Sequence, residues 1–209
     1  MLKSVVIALL AGSAALAALL AIAQSPFAPS RFEFGLFREY EGDLFEWPHP
    51  LLIGDDGRRY LLVVAGKHGA AERVRGFDGK RVRLRGSLIE RGSDRMLEID
   101  SVEATGPAAR RRQQPLEVAK VRLTGEIVDS KCFLGVMNPG QGKVHRDCAV
   151  RCISGGIPAA LFALDERGKG RLLLLTGIPK DELLPMIGER VTIAGALLRD
   201  GPQWILRRE

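Results

Sequence analysis

The sequence predicts a mainly β chain: two tandem OB-like small β-barrels with short helices, preceded by an N-terminal hydrophobic helix. Three observations lead there. Residues 81–88 and 191–197 alternate apolar and other side chains at period two, as half-buried strands do. Turns rich in Gly and Asp punctuate the chain at Gly54-Asp55-Asp56-Gly57, Asp78-Gly79 and Arg167-Gly168-Lys169-Gly170. The chain also repeats itself. Tyr60-Leu61-Leu62-Val63-Val64-Ala65-Gly66 matches Arg171-Leu172-Leu173-Leu174-Leu175-Thr176-Gly177, and Gly79 to Leu88 matches Gly188 to Leu197. Strands of five to eight residues in units of this size suit a five-stranded closed or half-closed barrel.

In chain order, residues 1–24 read as a signal peptide or transmembrane anchor. Lys3 precedes Val5 to Ala23, a run of 19 small and apolar residues, and no further charge appears before Arg31. One basic residue ahead of such a run directs export with the N-terminus inside. Ala21-Ile22-Ala23 before Gln24 resembles a cleavage site, while the length approaches that of a membrane span, so both outcomes stand. Residues 31–104 form the first barrel, with strands from Gly42, Tyr60, Arg81 and Met96 and a short helix expected at His68 to Gly76. Residues 105–118, with Gly106-Pro107 and Arg110-Arg111-Arg112, read as a solvated basic linker. Residues 119–209 form the second barrel, with strands at Gly125, Arg171, Val191 and Trp204 and a short helix at Lys180 to Ile187.

The copies differ in one place. From Gly42 to Tyr60 is 18 positions and from Gly125 to Arg171 is 46, which leaves 28 extra residues in the second copy (46 − 18). This insertion, about 130–158, holds Cys132, Cys148 and Cys152, all the cysteines of the chain, together with His145. His145, Cys148 and Cys152 stand at i, i+3 and i+7, within about 60° on one helix face. Gly155-Gly156-Ile157-Pro158 is a helix stop, so a short helix is expected over Arg146 to Ser154. With Cys132 reaching in from the preceding strand, the four residues have the chemistry of a Cys₃His metal site for zinc or copper, or for an iron–sulfur cluster. Since the first barrel manages without the insertion, the element reads as functional rather than architectural.

The alternatives are a disulfide from Cys132 to Cys148 or Cys152, worth roughly 3 kcal/mol in the chain-entropy model, with one thiol left over, or three inert core thiols. A bridge between Cys148 and Cys152 would span one helical turn against the Cβ directions. Asp129 is placed to cap a turn or to accept a hydrogen bond from His145. Lys143, Arg146 and Arg151 crowd the helix with positive charge that favours thiolates. His49, between Pro48 and Pro50, and His68, after Lys67, read as surface histidines. The chain has no C-x-x-C-H, C-x-x-C or G-x-S-x-G, so haem attachment, a thioredoxin-like site and a nucleophile elbow lack support. Net charge is +6, but few aromatics argue against a stacking platform, and no nucleic acid is expected as partner.

Gly125-Glu126-Ile127-Val128-Asp129-Ser130-Lys131-Cys132, followed by His145-Arg146-Asp147-Cys148-Ala149-Val150-Arg151-Cys152-Ile153-Ser154-Gly155-Gly156, resembles a motif of uncharacterised exported bacterial proteins, G-x-I-x-D-S-x-C … H-x-x-C-A-x-x-C-x-x-G-G. The resemblance covers the second copy and implies a small β-barrel with a Cys/His element and no established activity. The expected protein faces the periplasm from the bacterial inner membrane, or is secreted there. It is expected to be an accessory or binding protein rather than an enzyme, held to the membrane by its first helix. An exported metalloenzyme or electron-transfer complex would be its partner. An interaction scaffold with one structural disulfide, and a thiol-based redox enzyme, are the alternatives.

Overall fold

A computed structural model describes residues 2–23, 29–165 and 170–209. Gln24, the far side of the candidate cleavage site, and Arg167 to Lys169 of one expected turn lie outside the described residues. Helix α1 (Leu2–Ala23) has a mean hydropathy of 2.7 and no buried residue, and it is long and apolar enough to cross a membrane.

The strands β1 (Ser30–Phe32), β2 (Arg38–Phe45), β3 (Leu51–Gly54), β4 (Arg59–Val64), β5 (His68–Gly69), β6 (Lys80–Arg91) and β7 (Asp94–Pro107) make the first unit. Five of them close in the order β2-β3-β4-β7-β6 and back to β2. Antiparallel neighbours account for all but one contact: β4 and β7 run parallel, with Leu61 opposite Met96. The second unit repeats the plan with β8 (Leu116–Asp129), β9 (Ala159–Leu164), β10 (Gly170–Thr176), β11 (Arg190–Asp200) and β12 (Gln203–Arg208). Its barrel closes as β8-β9-β10-β12-β11, with β10 and β12 the parallel pair. The chain is therefore mainly β with two closed five-stranded barrels, as the duplication and the period-two strands indicate. Closure pairs the barrel strands on both sides, and β1 and β5 add short strands to the first barrel, on β6 and β4.

Helix α2 (Arg146–Ser154) spans the residues its stop signal marks, and α3 (Lys180–Leu183) continues as a tighter turn through Met186. The helix expected at His68 to Gly76 does not form. Two residues there pair with β4 as β5, and single turns follow, closed by Val74 N–H to the Ala70 carbonyl and Phe77 N–H to the Val74 carbonyl. Glycines at positions 69 and 76 leave too short a run between them for a stable helix.

Each barrel has its own core, built on Leu44, Leu62, Leu84 and Leu97 in the first and on Ile127, Leu161, Leu173 and Leu206 in the second. A third cluster belongs to both. Leu61, Val63, Ile89 and Met96 of the first barrel pack with Val128, Cys132, Phe133, Leu134, Cys152 and Ile157 of the second. The insertion leaves β8 and returns to β9 at one ladder rung, Asp129 opposite Ala159, and fills the space between the barrels. It is thus not dispensable architecture: it supplies Cys132, Phe133, Leu134, Cys152 and Ile157 to the core that the barrels share.

The linker is also docked. The buried Asp43 carboxylate accepts the backbone N–H groups of Ala109 and Arg110, both at 3.0 Å. Arg112 is only 13% exposed and forms a bidentate pair with Asp200 at the end of β11, and Arg59 of β4 binds the same carboxylate.

Candidate metal centre

Strand β8 ends at Asp129, whose carboxylate is fully buried. Its Oδ1 accepts the backbone N–H of Cys132 at 2.8 Å, which starts a helical turn at residues 132–136. Its Oδ2 accepts a hydrogen bond from His145 Nε2 at 2.9 Å. Asp129 therefore fills both roles expected of it, capping the turn and orienting the histidine. The turn kinks at Gly135 (φ 154), and the loop folds back so tightly that a Cβ on Gly140 would lie 2.6 Å from the Cys132 carbonyl oxygen. Helix α2 then begins directly after His145.

The sulfurs of Cys132, Cys148 and Cys152 lie within 4.8 Å of one another, and none forms a disulfide. Cys132 and Cys152 are buried and Cys148 is partly open. A second group, Asp129, Cys132 and His145, shares Cys132 and is wholly buried. The structure thus brings three of the four expected ligands into one triangle and places His145 beside one corner of it, turned to Asp129. The helical spacing of 148 and 152 holds as expected. His145 departs because it precedes α2 in a 3₁₀ turn, which changes its angle relative to the helix face.

The thiols are not equivalent. A hydrogen bond to Cys152, with burial and the Asp129 charge behind it, pushes the Cys132 thiol far above its ordinary range. The same hydrogen bond draws Cys152 down to about 7, helped by Lys67. Cys132 is thus the donor of that hydrogen bond and the Cys152 sulfur its acceptor.

Lys67 comes from the other barrel. Its Nζ donates to Cys148 Sγ at 2.8 Å and lies 3.8 Å from Cys152 Sγ. The bond to Cys148 raises the lysine above its ordinary value. Of the cations expected around the thiols, Lys143 and Arg151 are exposed, and Arg146 reaches the Pro185 carbonyl instead. The sequence did carry one signal for Lys67: in the repeat it falls opposite Ile178, so it is a place where the copies diverge.

Lys131, next to Cys132, points the other way. It is 2% exposed and buries its ammonium in the first barrel, donating to the carbonyls of Val64 at 2.9 Å and Gly66 at 2.7 Å and pairing with Glu98 at 2.5 Å. Arg91 of β6 answers from the first barrel, donating to the Phe133 carbonyl at 2.6 Å and stacking on the Phe133 ring at 4.3 Å. At the end of α2, Gly69 N–H donates to the Gly155 carbonyl at 3.0 Å. A Cβ on Gly69 would meet the Gly156 carbonyl oxygen at 2.1 Å, so both backbones need glycine there. His49 is not a surface residue either. It is half-buried, its Nε2 bonds the Leu175 carbonyl of the second barrel at 3.2 Å, and burial lowers its pKa. His68 is exposed, as expected.

In comparisons with known proteins, the chain matches no family model, no curated protein and no solved structure.

Proposed function

We propose that this is a metal-binding accessory protein, held at a membrane by α1, that carries one soft, thiophilic ion on Cys132, Cys148 and Cys152. The observation that carries the reading is the convergence of three unoxidised thiols from two segments within 4.8 Å, two of them buried. Edges between thiolates on a tetrahedral zinc are about 3.8 Å for a 2.3 Å bond, so the triangle needs little contraction to close on one ion. It is too small for a 4Fe–4S cluster, in which each thiolate has its own iron. His145, held by Asp129 beside Cys132, supports the ligand sphere from outside rather than completing it. Export to a bacterial periplasm fits α1 and the composition, and an exported metalloenzyme or electron-transfer complex is the kind of partner such a carrier would serve.

The full chain, purified anaerobically in detergent, is expected to retain one metal ion and to show three titratable thiols after denaturation. Neither retained metal nor uptake of Cu(I) or Zn(II), with a single thiol, would overturn the reading in favour of a disulfide-bonded scaffold. A thiol-based redox enzyme draws on the Asp129–His145–Cys132 line, but all three residues are buried, and substrate would have no approach to Cys132.

A further inference from the structure

The geometry points to a site built for a monovalent soft cation, Cu(I), with Lys67 of the first barrel as the residue that sets that choice. This rests on the three-thiol metal reading above. The argument has two parts, one of coordination and one of charge.

Zinc in a protein takes four ligands, in a structural site all from side chains and in a catalytic site with one open position. Among the described residues, no fourth ligating side chain joins Cys132, Cys148 and Cys152, because His145 groups with Asp129 and Cys132 alone. What lies over the Cys148–Cys152 edge is the Lys67 ammonium, at 2.8 and 3.8 Å from the two sulfurs. An ammonium has three donors and no lone pair, so it occupies space beside the triangle without ligating. Three thiolates alone suit Cu(I), which is soft and content with low coordination.

Charge acts in the same direction. Lys67 stabilises the thiolates but repels whatever cation they hold, and the repulsion scales with the charge of the ion. A divalent ion meets twice the opposition of a monovalent one. The lysine is fixed for this task by backbone rather than by its own flexible stem. The Val64 and Gly66 carbonyls are bound by Lys131, and the Gly69 N–H by Gly155. The turn that presents Lys67 is thereby clamped on both sides by the insertion that presents the thiols. The second barrel has isoleucine at the matching position, Ile178, and its own turn presents no such charge.

The test compares the full chain with Lys67→Met and Lys67→Arg, in detergent under anaerobic conditions, against chromophoric chelators of Cu(I) and of Zn(II). The ratio of the two dissociation constants is the readout. Lys67→Met is expected to move that ratio toward Zn(II) by about tenfold or more, mostly through tighter zinc binding, while Lys67→Arg stays close to the parent. An unchanged ratio in Lys67→Met, with both metals still bound and circular dichroism unaltered, would overturn the role of Lys67 and leave the metal site standing. If the parent chain binds neither ion, the metal reading itself falls, and this inference with it.

Discussion

The first barrel passes from its first strand to its second through residues 46–50; the second barrel takes residues 130–158 to make the same connection. Each connection follows a strand with an acid shielded from water, Asp43 fully buried and Glu126 partly so. In the first copy Asp43 accepts two linker N–H groups, and in the second the matching Glu126 accepts the Gly142 N–H at 2.5 Å. The plan is shared, yet the longer connection does two jobs where its twin only sets His49 on the Leu175 carbonyl. It gathers the thiols, and it packs against the other barrel through Phe133, Leu134 and Ile157. The difference teaches that the candidate site and the interface are here one object: Cys132 and Cys152 belong to the thiol triangle and to the shared core at once.

The comparison breaks most severely at Lys131. Lys131→Met removes a buried ammonium and leaves Glu98 and two carbonyls without their partner. A loss of about 3–5 kcal/mol is expected, read as a lower urea midpoint. The equivalent stretch of the first barrel, residues 46–50, reaches across with the His49 ring on the Leu175 carbonyl rather than with a buried ammonium. A midpoint unchanged by Lys131→Met would show that the insertion does not bind the barrels together.

Asp129→Ala should cost somewhat less, about 2–3 kcal/mol, from the lost turn cap and the stranded His145. Metal affinity should also weaken by about 10–100-fold. Asp129→Asn, which can still cap the turn, separates the two losses: stability largely recovered with metal affinity still reduced. Equal stability for Ala and Asn variants would remove the cap from the account.

Gly69→Ala sharpens the interface without touching a thiol. Its methyl group must displace the Gly156 carbonyl, and about 1–3 kcal/mol is expected for overpacking of this kind. Thermal denaturation of the two proteins measures it. If the barrels were merely adjacent, the substitution would be silent.

The smallest effect concerns pH. His49 is neutral in the folded chain because burial lowers its pKa below the ordinary 6.5, against a smaller opposing effect from the Leu175 carbonyl. Unfolded chains therefore bind more protons than folded ones in the window just under pH 6.5, and stability falls as pH drops through that window. Urea midpoints at pH 8, 6 and 5 should decline, and His49→Gln should flatten part of the decline. A parent chain equally stable at pH 8 and 5 would contradict the assignment.

The architecture was legible because its signals are local. Alternation over 81–88 and the Gly-Asp turns need no distant partner, and the duplication doubled their weight. The α2 helix was legible from Gly155-Gly156 and Pro158 for the same reason. What escaped was whatever one barrel does to the other. Lys67, Lys131, His49 and Arg112 are polar residues in turns or linkers, where sequence alone places them in water. Each is instead paired with a group on the opposite barrel or at the linker junction: Cys148, Glu98, the Leu175 carbonyl and Asp200. No periodicity encodes a contact between residues 81 positions apart, such as Lys67 and Cys148. His145 was nearly legible, since its spacing is helical, but the tighter turn before α2 rotated it toward Asp129.

The rung at Asp129 and Ala159, where the insertion departs and returns, has a mechanical consequence. Each barrel is a closed ring whose hydrogen-bonded staves do not pass through the insertion. The insertion is therefore a wedge between two stiff rings, which also meet through the docked linker, the Arg59–Asp200 pair and His49 on the Leu175 carbonyl. Work done on the wedge, were an ion to enter or leave its three sulfurs, would meet less resistance from a change in the angle between the rings than from opening either one. Chemistry at that one point would then be felt as a tilt of two bodies.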